Sequence, residues 1–198
     1  MSLARAFLLS CLLPASAFAA DAIDLKSLGE KEVRVVDVSK TGSPGKSFVA
    51  ATIVNAPLQE VCKVLQQYES YPAFMPNTHS AKVSHSAATH ALVDVTLKLP
   101  MGKIKKYRLR MEPAVSSTSC VLAWKQVPWP GLKQEETIAD TTGQWHLTPH
   151  GAGRTAVRYS VYTDPGPIPF GLGWIVDSLS KDSIPQTLEG VRRRVVKL

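Results

Sequence analysis

The sequence predicts one α+β domain. Strand-like runs open the chain and fill its middle, while apolar spacings of three and four residues are confined to 58–68 and to the segment from 172 onward. No repeat, linker or low-complexity stretch separates these segments, so they belong to one packed unit. Composition agrees. With 198 residues, 44% hydrophobic and 20% charged, and with 12 Gly and 14 Pro, the chain is outside the disordered, fibrous and disulfide-knot classes. A chain of this size buries roughly 70% of its unfolded surface and sustains a core without metals or disulfide staples.

Residues 1–20 read as a secretory leader. Arg5 supplies the positive start, 6–13 the apolar centre, Pro14 a break, and Ala17-Phe18-Ala19 an A-x-A cleavage site. The apolar run is too short for a spanning helix, which takes roughly 20 residues. Leu8-Leu9-Ser10-Cys11 is a weaker match to a lipoprotein cleavage box. Residues 21–198 are therefore expected to form an exported domain, periplasmic in a bacterium or secreted. Lys and Arg number 23 against 16 Asp and Glu, a formal +7, which points to anionic partners. The exported destination argues against nucleic acid and for a phospholipid surface. Cys62 and Cys120 would meet an oxidising compartment. Two buried thiols are expected in preference to a bridge, because nothing in the sequence places them together.

The elements follow in order. Residues 32–38 form a strand, and Thr41-Gly42-Ser43-Pro44-Gly45 turns the chain into a second at 47–54. Asn55-Ala56-Pro57 starts a helix with Pro at its first position, and Leu58, Val61, Leu65 and Tyr68 share one stripe. A Pro-broken aromatic segment fills 68–76. Ala91, Val93, Val95, Leu97 and Leu99 then alternate with Asp94, Thr96 and Lys98, and Tyr107, Leu109 and Met111 with Lys106, Arg108 and Arg110. Residues 120–127, 137–148 and 155–163 complete a meander. Leu172, Ile175, Val176 and Leu179 form one closing helical stripe, and Ile184, Leu188, Val191 and Val195 another, with a kink expected at Pro185.

Several apparent chemical motifs dissolve on inspection. Gly42-Ser43-Pro44-Gly45-Lys46-Ser47 has two residues between its glycines where a phosphate loop has four, and it joins strand to strand. Ser178-Leu179-Ser180-Lys181 and Lys40-Thr41-Gly42 occur in the reverse of the order found in penicillin-interactive enzymes. His79, His85, His90, His146 and His150 form no metal-binding spacing. No catalytic constellation has local support, and neither metal nor cofactor is expected.

Five stretches carry a resemblance. They are Ile53-Val54-Asn55-Ala56-Pro57-Leu58-Gln59-Glu60-Val61, the run from Tyr68 through Tyr71-Pro72-Ala73-Phe74-Met75-Pro76-Asn77, Gly143-Gln144-Trp145-His146-Leu147-Thr148-Pro149, the run from Arg158 through Asp164-Pro165-Gly166-Pro167-Ile168-Pro169, and Ile184-Pro185-Gln186-Thr187-Leu188. In this order they resemble the START-like (SRPBCC) superfamily over about residues 31–197, nearest its polyketide cyclase/dehydrase-type and coenzyme Q-binding branch. The resemblance implies a helix-grip fold: a curved antiparallel sheet wrapped around a long C-terminal helix, with an apolar cavity between them. Relatives include carriers, cyclases and binding modules, so fold alone does not decide chemistry. Cytosolic relatives also include a ribosome-associated toxin, a role the leader argues against.

Within that fold the ligand-binding wall is expected from Tyr107, Leu109 and Met111 on one strand, Trp145, Tyr159 and Val161 on later strands, and Leu172, Ile175 and Leu179 on the helix. Phe74 and Met75, with the loops at 129–132 and 165–171, are expected at a mobile entrance. The expected function is an exported, monomeric carrier or binding protein for a lipid- or isoprenoid-class ligand. A cyclase or dehydratase acting on a polyketide-like substrate and a closed-core interaction module are the alternatives. Basic runs at 98–111 and 192–197 either touch an anionic membrane transiently or form a solvated face.

Overall fold

The computed structural model describes residues 23–29, 31–167 and 173–196, with side chains described from 181 onward in the last segment. The leader-like residues 1–20 and Leu172 lie outside the described residues. The chain order is β1 (Val33–Asp37), β2 (Lys46–Val54), α1 (Leu58–Gln66), a 3-10 turn (Tyr68–Ala73), β3 (Thr78–Ser86), β4 (Ala91–Lys98), β5 (Ile104–Val115), β6 (Cys120–Val127), β7 (Asp140–Pro149), β8 (Thr155–Asp164) and α2 (Gly173–Val196). All strands join one eight-stranded antiparallel sheet, ordered β1-β2-β8-β7-β6-β5-β4-β3. The sheet curves about the C-terminal helix. This is the expected α+β helix-grip architecture.

The β1–β2 hairpin closes through Gly42, whose φ of +80° suits a residue without a β-carbon. β2 is the most deeply buried strand, because both its faces are covered. Phe48, Ala50 and Val54 face the main core. Val49, Ala51 and Ile53 face outward, where Ile23 and Leu28 lie across the sheet with Ala156 in a second small core. β3 is a strand the sequence reading missed. Only Ala81 of its residues is buried, and two register shifts interrupt its pairing with β4, so it shows no apolar alternation.

In α1 the residues Leu58, Val61, Cys62, Val64 and Leu65 are buried. Pro57 stands one place earlier than expected, as the cap, and its carbonyl accepts from the Glu60 and Val61 amides. Tyr68 already belongs to the 3-10 turn. α2 continues through Pro185 as one element, and Ile184, Leu188, Val191 and Val195 are its buried stripe. Cys62 and Cys120 form a disulfide, with α-carbons 6.1 Å apart. That corrects the expectation of two thiols. α1 lies against β6, and this contact between distant parts of the chain sets the proximity.

Candidate functional site

A cavity of about 300 Å³ lies between the inner face of the sheet and α2. Strand alternation builds most of its wall. Tyr107, Leu109 and Met111 project from β5, Val95 and Leu97 from β4, Trp145 from β7, and Tyr159 and Val161 from β8. Ile184 and Thr187 of α2 and Tyr71 and Met75 beyond α1 close it. Of the residues expected to bind ligand, Met75, Tyr107, Leu109, Met111, Trp145, Tyr159 and Val161 line this cavity.

Phe74 does not. Its ring packs edge-on against Tyr71, 5.6 Å between centroids, and its backbone carbonyl abuts Gly190 of α2. The tight backbone after the 3-10 turn sends neighbouring side chains in different directions, so Met75 reaches the cavity and Phe74 the helix. Leu172 lies outside the described residues, as do the side chains at 175 and 179. The entrance loops divide as well. Pro165 lines the cavity, whereas Trp129 and Leu132 line a second cavity of about 370 Å³ that shares Tyr107 with the first.

The sequence reading missed Trp124. Met111, Trp124, Gly143 and Val161 are successive partners across β5, β6, β7 and β8. A β-carbon at Gly143 would strike the Trp124 ring and the Ser160 carbonyl, so the glycine leaves room for the indole. Tyr159 stacks on Trp124 at 5.5 Å and meets Trp145 at 4.4 Å, giving a three-ring wall. The aromatic β7 residue Trp145 was legible from alternation. Placing Trp124 needed the β6–β7 register, which sets it opposite Gly143.

The polar groups in the wall are mostly hydroxyls, joined by Lys46 and Asn77. Burial pushes the phenols of Tyr71, Tyr107 and Tyr159 above their ordinary range, so all three stay protonated at neutral pH. Tyr71 Oη donates to Leu65 O at 2.7 Å. Thr141 Oγ1 donates to Tyr162 O at 2.8 Å, and Thr187 Oγ1 to Ser183 O at 2.7 Å. Among the described residues the wall contains no carboxylate and no histidine. Among the described residues no group of His, Cys, Asp or Glu is arranged to hold a metal ion.

The basic surface is more heavily engaged than the sequence implied. Arg108 forms a two-pronged ion pair with Asp94 of the neighbouring strand, at 2.5 and 2.9 Å, and lies over the Trp129 ring. Arg110 pairs with Glu112 at 2.6 Å, and Lys105 Nζ donates to the Glu135 and Thr137 carbonyls. Arg192 is held by the Lys31 and Glu32 carbonyls and by Thr52 Oγ1, and Arg193 faces Glu189 at 3.6 Å.

Comparison with known proteins follows the same lines. No curated protein matches the chain in sequence. Among solved structures, the STAR-related lipid transfer protein of Xanthomonas axonopodis superposes with a TM-score of 0.70 at 19% identity, covering 83% of this chain and 93% of that one. Human StAR-related lipid transfer protein 5 gives 0.72 at 14% identity, covering 83% and 82%. The Zhui aromatase/cyclase from Streptomyces sp. R1128 gives 0.59 at 15% identity, covering 84% and 95%. These likenesses establish the fold. Residues 54–191 match the family model described as polyketide cyclase / dehydrase and lipid transport. That span runs from the end of β2 into the last turns of α2 and takes in most of the cavity wall, so the chain belongs to this START-like family.

Proposed function

We propose that the protein is an exported carrier that encloses an apolar ligand of lipid or isoprenoid class between its sheet and α2. The cavity itself carries the reading. Met75, Leu97, Leu109, Met111, Trp145 and Val161 give it an apolar lining, and its volume of about 300 Å³ is at the small end for ligand sites. A carrier fits this wall better than a cyclase or dehydratase. Proton transfer in those reactions calls on a group that titrates near neutral pH, and among the described residues the wall offers neither carboxylate nor histidine. The two kinds of structural neighbour, lipid transfer proteins and an aromatase/cyclase, frame that choice.

Export is supported by the leader-like residues 1–20 and by the Cys62–Cys120 bridge, since disulfides persist in oxidising compartments. A monomer is supported at the β3 edge of the sheet, where polar exposed residues and register shifts discourage pairing with a second chain. The test is purification from the native host, intact mass to detect leader removal, and solvent extraction with mass spectrometry. A stoichiometric apolar molecule is the expected result. Protein that carries none, and that also binds no added apolar probe, overturns the carrier. Turnover of polyketide-like substrates would assign the cyclase instead.

A further inference from the structure

The second cavity, of about 370 Å³, lies beside a gap in the sheet. Pairing of β5 with β6 stops at Arg108–Val127, so residues 104–107 of β5 pair with β4 and leave their other edge to a loop. Lys105 Nζ holds that loop through the Glu135 and Thr137 carbonyls. Two acceptors in the cavity wall are left over. Gln126 Nε2 donates to the Ile138 carbonyl at 3.1 Å, which fixes the orientation of the amide. The other amide atom, Oε1, is buried and has no hydrogen-bond partner among the described residues. Buried polar atoms are nearly always paired, so this oxygen calls for a donor from outside the wall. The tie to Ile138 also sets it beside the short stretch of chain that carries Asp140. The Asp140 carboxylate lines the same cavity, is exposed, and makes no hydrogen bond or ion pair among the described residues. Its direct cross-strand partner is Asp164, and like charges so placed oppose each other. The positive charge of Arg108, also in the wall, is already met by Asp94.

We propose that this second cavity is a binding site for a small primary amine, taken up in its ammonium form. One ammonium group carries three N–H donors, enough to serve Gln126 Oε1 and the Asp140 carboxylate together. Its charge strengthens both bonds and relieves the repulsion between Asp140 and Asp164. Val127, Trp129 and Leu132 supply apolar surface for the hydrocarbon body of the amine. An alcohol of the same shape brings one donor and no charge, and a carboxylate is repelled by Asp140. The site differs in chemistry from the apolar space between sheet and α2, with which it shares Tyr107. The proposal does not depend on what that space carries.

The probes are 2-phenylethylamine and 2-phenylethanol, which share a shape and differ at neutral pH by an ammonium against a hydroxyl. Calorimetric titration at fixed salt compares them on wild type, Asp140→Asn and Gln126→Leu. Wild type is expected to prefer the amine. Each substitution is expected to weaken the amine about tenfold, equivalent to about 1.4 kcal/mol, and Asp140→Asn to leave the alcohol within about twofold. Asp140 is exposed, so its variant keeps the test decisive should Gln126→Leu fail to fold. In heteronuclear NMR spectra the indole N–H of Trp129, assigned through Trp129→Phe, should shift with the amine while those of Trp124 and Trp145 stay. Equal constants for amine and alcohol on wild type, or an amine constant unchanged by Asp140→Asn, overturn the site. Amine shifts confined to Trp124 and Trp145 overturn it too, because they put the probe between sheet and α2. An amine that produces neither heat nor shift has the same consequence, and none of these results touches the carrier reading.

Discussion

At Gly190 in α2 the carbonyl of Phe74 occupies the space that a β-carbon would need. Alanine is the better helix former by about 1 kcal/mol, yet here it would push the 74–75 backbone away from the helix. Gly190→Ala is therefore expected to destabilise the protein by about 2 kcal/mol, the middle of the range for overpacking. Urea unfolding measures this, and an unchanged midpoint would show that the segment yields without cost. Because Met75 lines the cavity, the variant should also bind apolar probe more weakly. None of this is legible in the sequence, where Gly190 is simply a weak helix residue. The same holds for Gly143, whose need for smallness arises only when Trp124 is set opposite it. Alternation did reveal Tyr107, Leu109 and Met111, because period two is a property of the strand alone.

The bridge between Cys62 and Cys120 joins α1 to the start of β6 across 58 residues of chain. Loop-closure entropy for a loop of that length predicts a stabilisation of about 4 kcal/mol. Replacing both cysteines by serine should lower the unfolding free energy by about that amount. Added reductant should reproduce the loss in wild type and leave the double variant unchanged. A wild type indifferent to reductant would mean that packing alone holds α1 in place. The pairing was hidden because each cysteine sits in an apolar stretch that predicts burial, and burial is equally compatible with a thiol. β3 was hidden for the opposite reason. An edge strand exposed on most of its residues needs no apolar pattern, so its identity comes from hydrogen bonds to β4 rather than from hydrophobicity. The two helices were readable because each must bury one stripe.

Over the whole molecule, a formal charge of +7 is distributed less freely than it reads. Arg108, Arg110 and Lys105 are tied to acids or carbonyls, and Arg192 and Arg193 at the far end of α2 are also occupied. Lys98, Lys103 and Lys106 have no acidic partner among the described residues, and they surround the β4–β5 turn. That turn exposes Met101 at 68% and Ile104 at 44%, while Leu99 within it lines the cavity. If the protein meets a membrane, this apolar tip in a basic collar is the surface suited to it, each lysine contributing about 1 kcal/mol near anionic lipid. Met101→Asp with Ile104→Asp is expected to reduce sedimentation with anionic vesicles at least tenfold, and raised salt should weaken the wild type. Binding that ignores the substitutions, the lipid charge and the salt would remove the tip from the account. The overall plan, sheet around helix, was legible through the family's motifs. The division of the charges was not, because Asp94 lies on a different strand from Arg108.

The strand order sets a timetable as well as a shape. β2 is apolar on both faces, and one side of its hydrogen-bonding edge belongs to β8, which arrives near the end of the chain. The Thr155 side chain reaches back 99 residues to the Ala56 carbonyl at that junction. A chain emerging N-terminus first, from a ribosome or a translocation pore, must hold the β1–β2 hairpin unfinished for most of its passage. Long-range antiparallel pairing of this kind is slow, and an uncovered apolar edge invites association meanwhile. The hazard for this protein is thus concentrated in a waiting period rather than in the finished state, and whatever shields the first hairpin during that interval decides the yield.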